Sequence, residues 1–278
     1  MKPQKRKIFI SADIEGISGV SGRHFTEAKA HAWELGRRYM VEDVNAAIRG
    51  VLQAAPGSEI VVRDAHGGSD NIVLEKLHPG VRLISGWPHN MNMLEGLDRS
   101  FDACFFVGYH SRGLVPGGVL AHTFSGRLLG VSIGGSDVGE TAINAFLAGG
   151  CGVPVVLVTG DDKLRREARP LLPWARFVVV KRGIAKETCE MLPLDRARSH
   201  IENEAREAVL GIGRAKPYRP RKTDFRVRLS FEDKLRGLES LSDFTVRVEK
   251  GIMDVGIRGR TPQEIYDRFA LLIQLAHS

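Results

Sequence analysis

Short apolar runs alternate with helix-length amphipathic stretches over most of the chain. Residues 7–11, 60–62, 81–84, 103–107, 154–158 and 177–180 are mainly apolar and stop at glycines or charged turns. Such runs suit strands buried on both faces, as in a parallel sheet covered by helices. Between them the spacing predicts helices over 27–53 (interrupted only by Gly36 and Gly50), 141–147, 163–171 and 195–209, and a short strand over 128–133. At 211–220 two glycines, two prolines and dense charge mark a connection. Beyond it, 225–229 and 244–248 alternate apolar and polar residues as half-exposed strands do, and 254–258 adds a third strand. A helix over 262–276 closes the chain, with Thr261 as N-cap and Pro262 at its first position. The expected fold is therefore α/β, a mostly parallel sheet covered by helices, with a smaller C-terminal α+β domain. The boundaries fall at 1–213 for the larger unit and 222–278 for the smaller one.

Composition narrows the classes. Of 278 residues, 43% are hydrophobic and 26% charged, which fits an ordinary globular protein. No run approaches the about 20 apolar residues of a membrane helix, so no membrane partner is expected. The basic N-terminus (residues 2–7) resembles a leader, but the apolar run behind it ends at Asp13 and Glu15. That points to a cytoplasmic protein. Cys104, Cys151 and Cys189 share no disulfide or zinc-knuckle spacing and read as reduced thiols. The net charge of +7 gathers in the second half, above all between Arg214 and Arg228. A nucleic-acid footprint is one reading. Without interleaved aromatic residues or a recognition motif, a solvated linker and strand edge is favoured, and no nucleic-acid partner is expected.

Chemistry concentrates at strand ends. Asp13 and Glu15, two apart in extended backbone, project from one face, and paired carboxylates repel unless a cation lies between them. His66 stands just past the second apolar run, His110 just past the fourth, and Glu140 opens a helix after a glycine. Open parallel sheets gather ligands at the carboxyl ends of strands, so these residues can converge despite their separation. Two imidazoles and three carboxylates suit a zinc-type site, in number enough for two ions sharing a carboxylate. Asp64 is placed either to orient His66 or to cap the turn. His24, His31, His78, His89, His200 and His277 read as structural or surface residues.

Five segments taken together resemble the DppA family of D-aminopeptidases, which are zinc peptidases: SADIEGISG at 11–19, RDAHG at 63–67, GYH at 108–110, AHT at 121–123 and GETAINA at 139–145. They occur in the family's order, and GVPVVLVTGD at 152–161 with the closing α+β segment extends the likeness over nearly the whole chain. The resemblance implies that Asp13, Glu15, His66, His110 and Glu140 bind two zinc ions, with Asp13 as the bridge. It implies His122 as the catalytic histidine, acting as acid/base or as nucleophile. It also implies short peptide substrates with an N-terminal D-amino acid, and a homo-oligomer, a decameric ring with enclosed sites. Ser111 and Gly134-Gly135 stand where many relatives carry a small apolar residue and Asn-Gly, differences that bear on substrate choice. The competing functions are a dinuclear metal hydrolase of another amide or phosphoester bond, and a basic nucleic-acid-binding protein.

Overall fold

A computed structural model describes residues 4–86, 92–230 and 233–277. In chain order the elements are β1 (Lys7–Ala12), α1 (Trp33–Ala54), β2 (Glu59–Asp64), β3 (Arg82–Ile84), β4 (Ala103–Val107), β5 (Leu128–Ile133) and β6 (Ser136–Val138). Then come α2 (Glu140–Gly150), β7 (Val155–Asp161), α3 (Asp162–Ala168), β8 (Arg176–Ala185), β9 (Thr188–Met191) and α4 (Leu194–Leu210). The chain ends with β10 (Phe225–Ser230), β11 (Phe244–Glu249), β12 (Ile252–Ile257) and α5 (Pro262–His277).

Seven strands form the main sheet in the order β3-β2-β1-β4-β7-β8-β9. All pairs are parallel except β8 with β9, which closes as a hairpin. The expected mostly parallel, helix-covered sheet is present. Its central strands are apolar on both faces because both faces are covered: Ile8 and Ile10 pack with the buried sides of α1 and α4, and Phe9 packs with α2 and the C-terminal elements. Gly50 lies where α1 crosses α4, and a Cβ there would run into the Glu202 carbonyl.

A second sheet has the order β11-β12-β10-β5-β6 and is antiparallel throughout. It is built from both parts of the chain. The strand expected over 128–133 is β5, but it pairs with β10 of the C-terminal segment rather than with the main sheet. Residues 1–213 and 222–278 thus share a sheet, and they share one core as well. The alternation read in 225–229 is real: Phe225, Val227 and Leu229 are buried while Arg228 is exposed. Its apolar face is covered within the chain, where Phe269 of α5 contacts the Phe225 and Phe124 rings at 5.1 Å each. Thr261 caps α5 as expected, its hydroxyl accepting from Glu264 N.

One helix boundary differs from expectation. α1 starts at Trp33 rather than Glu27. The preceding residues form a 3-10 turn (Arg23–Phe25) and further turns, with Lys29 in left-handed backbone (φ 69°). The Thr26 carbonyl, which a helix would use internally, is taken by His66 Nε2 at 3.0 Å. The basic linker shows no free cationic face at β10: Arg226 pairs with Asp254 at 2.9 Å and Arg228 with Asp137 at 3.0 Å. No helix among the described residues is long and apolar enough to cross a membrane.

Because Phe269 is fully buried between two aromatic rings, Phe269→Ala should cost about 3–5 kcal/mol of stability through lost burial and the cavity left. Urea unfolding monitored by tryptophan fluorescence measures it.

Candidate active site

Strand order explains how distant residues meet. β2, β1 and β4 are neighbours, so their carboxyl ends lie side by side. Asp13 and Glu15 follow β1, His66 follows β2 and His110 follows β4. β1 is the strand from which the chain winds first toward β3 and then back toward β7, the crevice where doubly wound sheets place ligands. Glu140 opens α2 immediately after β6, and His122 comes from the long connection between β4 and β5.

All six residues converge. His66 Nδ1 lies 3.3 Å from Asp13 Oδ1 and 3.0 Å from Glu15 Oε2. His110 Nε2 lies 3.6 Å from Asp13 Oδ2 and 3.4 Å from Glu140 Oε1. His122 Nε2 is 3.9 Å from that same Glu140 oxygen, and its ring stacks on His110 with centroids 4.2 Å apart. Two triads of potential ligand atoms result, Asp13–Glu15–His66 and His110–His122–Glu140, each within 4.8 Å. Asp13 turns one oxygen toward each.

Each imidazole is oriented by backbone. His66 Nε2 donates to Thr26 O at 3.0 Å, His110 Nδ1 to Ser111 O at 2.9 Å, and His122 Nδ1 to Leu120 O at 2.9 Å. A carbonyl only accepts, so those nitrogens carry the proton and the opposite nitrogen of a neutral ring presents a lone pair. In every case that lone pair faces carboxylate oxygens. Asp13 Oδ2, Glu15 Oε2 and His110 Nε2 are buried without a hydrogen-bond partner. Lone pairs opposed in this way repel, and a cation between them reverses the sign. Carboxylate oxygens with imidazoles pinned at the far nitrogen are the donor set that zinc takes, so these residues fit zinc.

The electrostatics agree. Burial, followed by the charge of Glu15, pushes the Asp13 carboxyl up to about 8. Burial alone would raise Glu15 and Glu140 too, but His66 and His110 respectively hold them below the usual range. Against their own burial, His66 and His110 are raised by the carboxylates they face. In the metal-free protein, protons occupy the positions a cation would take.

The supporting residues were mostly not apparent from sequence. Lys181, buried in β8, donates to the carbonyls of Glu15, Ile17 and Val20 at 2.6, 2.9 and 2.6 Å, fixing the turn that carries Glu15. Burial pulls its pKa down to about 8. In the sequence it stands beside Arg182 at the end of the apolar run 177–180, where it reads as an ordinary surface charge. Asp161 accepts from Val119 N at 2.9 Å while capping α3, and Glu140 Oε1 accepts from Phe124 N at 2.6 Å. These two acids clamp the segment bearing His122, in which Leu114, Leu120 and Phe124 hold left-handed backbone (φ 65°, 51° and 55°). Asp64 caps the turn rather than orienting the His66 ring: it accepts from Asn71 N and Ile72 N at 2.6 and 2.7 Å. Gly16 is required by close approach, since a Cβ there would enter the Tyr109 carbonyl. His24 and His31 stack on each other with centroids 5.1 Å apart, the three cysteines are free thiols, and His89 lies outside the described residues.

The profile of the D-aminopeptidase family matches residues 6–269. The chain belongs to the D-aminopeptidase family. A D-aminopeptidase of Bacillus subtilis (strain 168) is 34% identical over 214 residues, covering 77% of each chain. The solved structure of a Bacillus subtilis protein described as the Zn-dependent D-aminopeptidase DppA, a self-compartmentalizing protease, superposes with a TM-score of 0.87 at 28% identity, over 98% of both chains. This D-aminopeptidase-family protein is accordingly a metallo-aminopeptidase, and neither the phosphoester nor the nucleic-acid reading is favoured.

A pH dependence follows. The raised carboxyl of Asp13 binds protons more tightly folded than unfolded, so its contribution erodes as pH rises from about 4 to about 8. Raised His66 and His110 stabilise below their unfolded value of 6.5 and lose that contribution as pH rises through their folded values. Lowered Glu15 and Glu140 stabilise above 4.5 and act only in acid. Metal-free protein should therefore melt at a falling temperature between about pH 5 and pH 8, and zinc should remove the decline by replacing the protons. Calorimetric scans with and without zinc test this.

Proposed function

We propose that the protein removes N-terminal D-amino acids from short peptides, holding two zinc ions per chain inside a closed homo-oligomer, a decamer, in the cytoplasm. The observation that carries the reading is the opposition of three backbone-pinned imidazoles and three buried carboxylates around Asp13, whose two oxygens face different ligand triads. Asp13, Glu15, His66, His110 and Glu140 would hold the ions, with Asp13 shared. When bound, zinc supplies Lewis-acid polarisation of a carbonyl and activation of water near neutral pH.

The chain's own residues supply the rest. His122 is the exposed member of its triad, with 33% of its side chain accessible against 2% for His110. Its Nδ1–H is locked on Leu120 O, so Nε2 is the nitrogen that takes and returns a proton. The second reading, His122 as a sixth ligand, is favoured by its 3.9 Å approach to Glu140. Metal content separates the two.

Assembly is supported by the self-compartmentalizing description of the DppA structure. Since β10 is covered within the chain, exposed apolar residues around β11 and β12 offer contact instead, with Leu241, Val248 and Ile252 exposed at 46%, 47% and 43%.

Elemental analysis should find about two zinc ions per chain. Asp13→Ala should lose both and Glu15→Ala mainly one. His122→Ala should keep its metal and lose about 100-fold or more in rate; a metal-depleted His122→Ala would instead make the histidine a ligand. With paired D- and L-aminoacyl dipeptides and a chelated control, the D-series should turn over, and light scattering should give a multiple of the 30.6 kDa chain mass. Equal L-turnover would refute the stereochemistry, and an active monomer the assembly.

A further inference from the structure

Two cavities meet at the histidines, and they differ in character. One, of about 450 Å³, lies over Asp13 and Glu140 and has apolar walls from Met93, Phe124 and Ile273. The other, of about 420 Å³, lies over Glu15 and carries two cations, Arg23 and Lys186, together with the acids Glu27 and Asp70. They share His66, Gly67 and His122. The reacting centre is therefore a neck between an apolar chamber and a charged one.

Both cations of the charged chamber stand on segments tied to the site. The turn carrying Arg23 is bonded to Thr26 (Thr26 N to Arg23 O, 2.9 Å), whose carbonyl orients His66. Lys186 sits at the tip between β8 and β9, and its carbonyl accepts from Leu120 N at 2.7 Å. Leu120 O in turn orients His122. The two sides are linked across the top by Arg23 Nε to Glu187 at 3.9 Å. Arg23 is divided between Glu187 and Glu27, both at 3.9 Å, whereas Lys186 has no acidic partner among the described residues.

We propose that the charged chamber is a carboxylate subsite. Lys186, assisted by Arg23, binds the free C-terminal carboxylate of a dipeptide-sized substrate, while the apolar chamber takes the side chain of the N-terminal residue. The proposal rests on the aminopeptidase reading for its orientation: the scissile bond must sit at the neck, so the two ends of the substrate go to opposite chambers. A carboxylate placed among Met93, Phe124 and Ile273 would lose its hydration without a partner, and an apolar side chain beside Lys186 would gain little. Chemistry thus fixes which end goes where. It also gives a length preference, because only a short peptide brings its terminal carboxylate within reach of a lysine at the chamber wall.

The test uses zinc-loaded protein and an uncleavable analogue, alanyl-alanine with the peptide bond reduced to CH2–NH, as free acid and as C-terminal carboxamide. Calorimetry should show the acid binding about 10-fold or more tightly, the scale of one charge-assisted hydrogen bond. In Lys186→Met the acid-to-amide ratio should fall to near one. In Arg182→Gln, which removes an exposed cation of the same hairpin outside the cavity, the ratio should persist. A wild-type ratio near one, an unchanged ratio in Lys186→Met, or failure of both analogues to bind would overturn the proposal. Hydrolysis of the ordinary dipeptide, assayed in parallel, reads the peptidase assignment separately. Discrimination without turnover refutes that assignment and keeps the subsite, and turnover without discrimination does the opposite.

Discussion

Three carboxylates buried within a few ångströms are the constraint around which this protein is arranged. Asp13, Glu15 and Glu140 are nearly inaccessible, and in a low-dielectric interior their mutual repulsion is large. Unpaired, they would neutralise or drive the segment apart. The fold answers by aiming imidazoles at them and by fixing the backbone so tightly that no carboxylate can swing out. Lys181 carries this furthest. It is a buried cation spent entirely on three carbonyls of the turn beneath Glu15, contributing position as well as charge.

The same logic accounts for the irregular connection between β4 and β5. Left-handed backbone at three residues other than glycine is costly and persists only where surrounding contacts over-determine it. At Leu120 and Phe124 those contacts are specific: Lys186 holds Leu120, Glu140 holds Phe124, and Asp161 holds the adjacent Val119. Glu140 is thus a member of the cluster and a clamp on the segment that brings His122 to it. Disturbing this carboxylate moves the neighbouring histidine too, so effects within this cluster will not be additive.

How much of this was legible in sequence depended on whether the signal was local. β1, β2, β4 and β7 could be read because strands covered on both faces carry runs of consecutive apolar residues. The six converging residues could be read because parallel sheets present chemistry at predictable ends, and because five short segments together resembled a family. What escaped was non-local. β9 is short and largely exposed, so nothing distinguishes it from a turn until it pairs with β8. The pairing of β5 with β10 joins segments almost a hundred residues apart, and the linker at 211–220 suggested separate units where the chain closes a single sheet. The start of α1 was lost to a carbonyl recruited by a histidine forty residues away. Lys181 and Asp161 were hidden among ordinary surface-type charges, since burial is a tertiary property that spacing does not encode.

The position of α5 has a consequence for the timing of biosynthesis. This last helix supplies Ile273 and Gln274 to the wall of the cavity over Asp13 and Glu140, and its Phe269 props Phe124, two residues from His122. The main sheet and all six converging residues emerge from the ribosome well before it does. A nascent chain can therefore bring these six residues together while one wall of the chamber is still missing. Completion waits for α5, so the chamber takes its finished shape well after the residues that carry the chemistry have been made.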